Sequence, residues 1–111
     1  MTPFLKVITS SVGSPGRVAC KDIDLSVQLK KDGLSPDAKA PVAYAVSSAQ
    51  IKAFLADGKL VVCGEEPGLK EGASIAVFKE NGKPVLVVNL KNAAATGLTL
   101  SDSLLKIARV R

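Results

Sequence analysis

The sequence predicts an α/β fold: a single compact domain with a mixed sheet, a parallel strand–helix–strand crossover in its middle, and a C-terminal hairpin followed by helices. Three observations carry that prediction. Residues 42–46 and 60–63 are short apolar runs, and between them Ile51, Phe54 and Leu55 recur at helical spacing. Asn81-Gly82 stands between two further apolar runs, the pattern of a tight hairpin turn. A chain of 111 residues, 47% hydrophobic and 23% charged, can build one core and has no room for a second.

Each element follows from local chemistry. Residues 4–9 read as a short strand, and Gly13, Pro15 and Gly16 then punctuate a loop over 10–16. Residues 17–20 form an apolar strand ending at Cys20. The clearest periodic signal comes next, where Ile23, Leu25, Val27 and Leu29 alternate with Asp22, Asp24, Ser26 and Gln28. Period two predicts a strand with one dry face, and it makes Asp22 and Asp24 solvated strand charges rather than a working carboxylate pair. Residues 30–39, with Gly33 and Pro36, read as a connection.

After the strand at 42–46, Ser47 or Ser48 can cap a helix by accepting a bond from an unpaired backbone N–H, and Asp57-Gly58 can stop it. The strand at 60–63 completes a right-handed crossover if both strands join one sheet. Gly64-Glu65-Glu66-Pro67-Gly68 then leaves the carboxyl end of that strand, where open α/β sheets border ligand crevices. Residues 74–79 and 84–89 make the hairpin, with Pro84 tolerated at the start of the return strand. Asn89 can cap a short helix stopped by Gly97. Ser101 can cap a last helix with Leu104, Leu105, Ile107 and Ala108 as its apolar residues and Lys106, Arg109 and Arg111 as its basic end.

The composition excludes more than it proposes. Without histidine, neither Ser-His-Asp nor Cys-His catalysis nor the usual zinc sites can be built. With no Trp, one Tyr and three Phe there is no stacking platform for single-stranded nucleic acid. The net charge of +5 is dispersed along the chain, a solubilising surface rather than a polyanion site. No apolar run approaches the roughly 20 residues that span a bilayer, and Lys6 interrupts any signal-peptide core near Met1. Gly13-Ser14-Pro15-Gly16 lacks the spacing of a phosphate loop. The sequence therefore predicts no enzyme, no catalytic or metal-binding residues and no cofactor. Cys20 and Cys63 each lie in a strand; they read as buried thiols, and in an oxidising compartment as a candidate disulfide pair. The adjacent Glu65 and Glu66 would diverge rather than cooperate as acid and base, but a loop acid can meet a basic partner.

From Leu60 onward the run LVVCGEEPGLKEGASIAVFKENGKPVLVVNLKNAAATGLTLSDSLLKIA resembles the C-terminal half of the YfiR-like family of small bacterial periplasmic proteins. The matching positions include Glu66, Gly68, Gly72, Asn89, Leu90, Ala93, Ala94, Gly97, Ser101 and Leu104. The preceding strand, Ser-Ser cap and helix extend the resemblance to residues 42–111. The family's aromatic-rich N-terminal helix has no counterpart in the sequence. The resemblance implies a non-enzymatic periplasmic regulator that binds and restrains a membrane-anchored signalling protein, a diguanylate cyclase. It implies no nucleic acid and no insertion into the membrane. Glu65, Glu66 and Asn89 are the candidate partner-binding residues. Alternative readings are a small-ligand domain using the crevice beside Gly64 to Gly68, or a self-associating subunit such as a homodimer. A cytoplasmic location is the alternative to the periplasm.

Overall fold

The computed structural model describes residues 6, 8–10, 16–21, 23–31, 33–97, 100 and 102–110, apart from the side chains of Ile23, Leu25, Asp102 and Ser103. Seven strands form one mixed sheet: β1 (Arg17–Cys20), β2 (Ser35–Pro36), β3 (Val42–Ala45), β4 (Leu60–Cys63), β5 (Ile75–Glu80), β6 (Lys83–Val88) and β7 (Arg109–Val110). Their spatial order is β2-β1-β3-β4-β5-β6-β7. The first five run parallel, β6 returns antiparallel to β5, and β7 lies parallel to β6. Helices are α1 (Ile23–Lys31), α2 (Ser48–Ala56), α3 (Leu90–Ala95) and α4 (Asp102–Ile107), with a 3-10 helix at Glu66–Glu71. This is the α/β domain with a central crossover and C-terminal hairpin that the sequence predicts.

The order reverses between β1 and β3, and the two crossovers on either side of that point cover opposite faces. The face beneath α1 is bulky: Val42, Tyr44, Leu60, Val62, Ile75 and Val88 pack with Leu29 of α1 and Leu104 of α4. The opposite face carries small side chains, Ala19, Ala43, Ala45 and Ala76, against which Ile51 and Phe54 of α2 settle. Small residues on the sheet let the larger helical ones approach closely. Fully burying one such aliphatic side chain contributes about 1.5–3 kcal/mol.

Several predicted signals appear as geometry. Asn81 and Gly82 have φ of 53° and 77°, the left-handed pair of a type I′ turn, and Glu80 pairs with Lys83 across it. Ser47 caps α2, and Asn89 caps α3 with its side chain accepting from the Asn92 N–H at 3.0 Å. Asp57 and Gly58, the latter at φ 73°, end α2.

The structure corrects four readings. The alternating segment at 23–29 is helix α1, not a strand. β1 and β2 are parallel neighbours, and parallel strands need a crossover that an extended chain cannot supply. Helical winding separates Val27, 49% exposed, from Leu29, fully buried, although they are two residues apart. Asp24 in the first turn and Lys30 and Lys31 in the last suit the helix dipole. Within residues 4–9, Lys6, Ile8 and Thr9 are helical rather than extended. Thr9 Oγ1 donates back to the Lys6 carbonyl at 3.1 Å, a helical back-bond, and accepts from the Gly16 N–H at 2.9 Å. The connection over 30–39 contains β2, a two-residue edge strand. Arg109 does not extend the last helix; it lies in β7 and pairs with Glu80 at 3.1 Å, while Ile107 is 56% exposed rather than part of the core. The readings at Asp22, Ser101, Arg111 and the loop positions 11–15 lie outside the described residues.

Candidate functional site

The carboxyl ends of β3 and β4 open into a cleft of about 400 Å³, bounded on one side by the start of α2 and on the other by the loop and 3-10 helix after β4. Its position follows from topology: parallel strands all end at one edge of the sheet, and the loops leaving them diverge around a crevice. At the start of α2, Ser47 Oγ accepts the Gln50 N–H at 3.3 Å, and Gln50 Oε1 turns back to accept the Val46 N–H at 3.0 Å. This is a capping box shifted by one residue, which leaves the Ser47 and Ser48 amides, among the described residues, with no acceptor.

Tyr44 forms part of the opposite side of the cleft. Its residue is only 8% exposed, its hydroxyl has no hydrogen-bond partner among the described residues, and Gly64 leaves room for it: a Cβ at Gly64 would stand 2.9 Å from the hydroxyl oxygen. Burial, with smaller contributions from Cys63 and Cys20, pushes the Tyr44 phenol above its ordinary range, so it stays a protonated donor. Cys63 also lines the cleft and donates from Sγ to the Glu65 carbonyl at 3.1 Å. Burial raises its thiol pKa, keeping it neutral and a poor nucleophile.

The acids distribute according to the period of the 3-10 helix. Side chains three residues apart share a face there, so Glu65, Gly68 and Glu71 all line this cleft. Glu71 accepts a hydrogen bond from Ser48 Oγ at 2.6 Å, bridging the two sides. Glu66 turns away into a second cleft of about 420 Å³, shared with Pro67, Leu69, Lys70 and Asn89. The expected divergence of Glu65 and Glu66 is thus observed, and Glu66 is brought together with Asn89 instead. Asn89 lines that second cleft while its side-chain oxygen caps α3.

Residues absent from the sequence reading complete the picture. Tyr44, the Ser47 and Ser48 amides and Glu71 belong to the first cleft, and the signals for them were the Ser47-x-x-Gln50 box and the three-residue spacing of Glu65, Gly68 and Glu71. Asn92 is a further such residue. Its Nδ2 donates to the carbonyls of Leu69 and Ala73 at 2.8 and 2.9 Å, clamping the 3-10 helix to α3. Cys20 and Cys63 are both free thiols. They sit on opposite faces of the sheet, Cys20 against the bulky cluster and Cys63 in the alanine-rich one, with β3 between their strands, so the candidate disulfide is not formed. Among the described residues there is no cluster of three or more metal-ligating side chains. No helix among them is long and apolar enough to cross a membrane.

A mixed sheet with a cleft at the carboxyl ends of its parallel strands β3 and β4 defines an open α/β domain. The chain belongs to the YfiR/HmsC-like family, whose pattern it matches over residues 28–109. It is similar in fold to a conserved domain protein from Vibrio cholerae O1 biovar eltor, with a TM-score of 0.73 at 15% identity, covering 98% of this chain and 59% of that one. It is also similar to an ABC domain from Streptococcus pneumoniae solved in complex with L-Trp, with a TM-score of 0.67 at 14% identity, covering 99% of this chain and 59% of that one. The chain thus spans about three-fifths of the length of both. No curated protein matches it by sequence.

Proposed function

We propose that this protein is a non-enzymatic periplasmic regulator that binds and restrains a membrane-anchored diguanylate cyclase. Membership of the YfiR/HmsC-like family over residues 28–109 carries the reading. The acidic loop after β4 supports it by offering Glu65 to the first cleft and Glu66 to the second, with Pro67 lining both and Asn89 sharing the second with Glu66. Binding lowers cyclase activity only if the regulator prefers one conformation of its partner over the other. Affinity capture from detergent-solubilised membranes of the source organism tests this, comparing the protein with a Glu65→Lys/Glu66→Lys variant. Recovery of a cyclase-bearing membrane protein, weakened by the variant, is the expected result. Recovery of nothing by a folded sample rejects the reading.

A second reading, a small-ligand domain, draws on the first cleft and on the L-Trp held by the structurally similar ABC domain. Native mass spectrometry of the purified protein separates the two, since only this one predicts a retained small molecule.

A further inference from the structure

We propose that the first cleft recognises an extended peptide segment bearing an arginine, its backbone carbonyl held by the Ser47 and Ser48 amides and its guanidinium by Glu65 and Glu71. This rests on the protein-binding reading and names the chemistry of the contact. The cleft presents two opposed demands. The start of the nine-residue α2 offers unpaired N–H donors and the positive end of a helix dipole. The loop and 3-10 helix after β4 offer two carboxylates, and among the described residues no Lys or Arg lines the cleft although the chain carries +5 overall. A lone anion would face the carboxylates and a lone cation the helix terminus. A peptide unit with a basic side chain satisfies both, because its carbonyl accepts while its side chain donates.

Tyr44 makes the cleft more than a charged rim. Tyr44 is 8% exposed as a residue, and its hydroxyl, without a protein acceptor among the described residues, opens onto the cleft, where an incoming carbonyl can accept from it. Ile51 and Pro67 give the aliphatic stem of the arginine an apolar surface. Arginine suits the two acids better than lysine, since its planar fork can donate to both at once. The second cleft adjoins the first across Pro67, so the surface continues beyond one small molecule and fits an extended chain.

The test is a titration of the isotope-labelled protein with the blocked tripeptide acetyl-Ala-Arg-Ala-amide, read from backbone amide shifts, with the Gln analogue as control. Saturating shifts at Ser47, Ser48 and Gly64 are expected with the Arg peptide, and binding about tenfold weaker in a Glu65→Gln/Glu71→Gln variant. Tyr44→Phe, which keeps the ring and the fold, should weaken binding as well. Equal binding of the Gln peptide, or no saturable response at millimolar peptide, overturns the proposal. So does tighter binding of a free amino acid at the same amides, which would assign the cleft to a small ligand. If membrane capture succeeds and the peptide fails, only this inference falls. If the peptide binds and capture fails, only the cyclase assignment falls.

Discussion

Replacing Gly68 by alanine probes the packing that holds the 3-10 helix against β4. Gly68 is buried and has no positive φ, so the substitution tests contact alone and not backbone strain. An added Cβ would stand 2.6 Å from Cys63 Sγ, 3.2 Å from Cys63 Cβ and 3.4 Å from Ile51 Cδ1. Carbon contacts are comfortable at about 3.5–4.0 Å, so roughly 1 Å of clearance from the sulfur is missing. The sulfur cannot yield freely, because it is buried and donates to the Glu65 carbonyl. Overpacking of this kind costs about 1–3 kcal/mol. For a domain of this size each 1 kcal/mol lowers Tm by about 4–8 °C. Cys63→Ala removes the obstructing atom at a cost of about 1 kcal/mol for the lost packing. Gly68→Ala in that background should then be cheaper than in the native chain, with a coupling of about 1 kcal/mol in a double-mutant cycle. Urea titrations followed by circular dichroism measure all four proteins. A Gly68→Ala cost below about 0.5 kcal/mol, or strictly additive costs, would refute the contact described here.

Three further outcomes are expected. Gly72→Ala should destabilise by about 2 kcal/mol or more, because φ of 114° is strained for any L side chain and the new Cβ meets Leu55 Cδ1; the same urea titration checks it. Asn92→Ala should cost about 1–3 kcal/mol by removing the donor to the Ala73 carbonyl and one of two donors to the Leu69 carbonyl, which keeps the Gly72 N–H, and hydrogen exchange should rise in the 3-10 helix before β4 and β5 respond. For Cys63, whose folded pKa is raised above 9.0, protonation favours the folded state. Its contribution is full below the unfolded pKa and is lost as pH rises through the folded one, so stability should fall on the alkaline side of 9.0 and Cys63→Ala should flatten that decline in pH-dependent melting.

Local chemistry determined much of this protein. Ser47 caps α2, Asp57 and Gly58 end it, Asn81 and Gly82 turn the hairpin, and Asn89 caps α3, because each is set by bonds or dihedrals within a few residues. The adjacency of Glu65 and Glu66 likewise meant that they would part. What the tertiary structure decided are the features that depend on distant chain. Residues 23–31 have alternating polarity yet wind into a helix, since the parallel pairing of β1 with β2 demands a crossover there. Glu71 reaches the same cleft as Glu65 only because the loop after β4 tightens into a three-residue period, and Tyr44 joins them because β3 and β4 end at the same edge. Cys20 and Cys63 look alike in sequence but occupy opposite faces, a matter of which way each pleat points once the strands are in register. Hydrogen bonds between near neighbours can be read from residue order; which side chains meet across a sheet is known only after its strands have been paired.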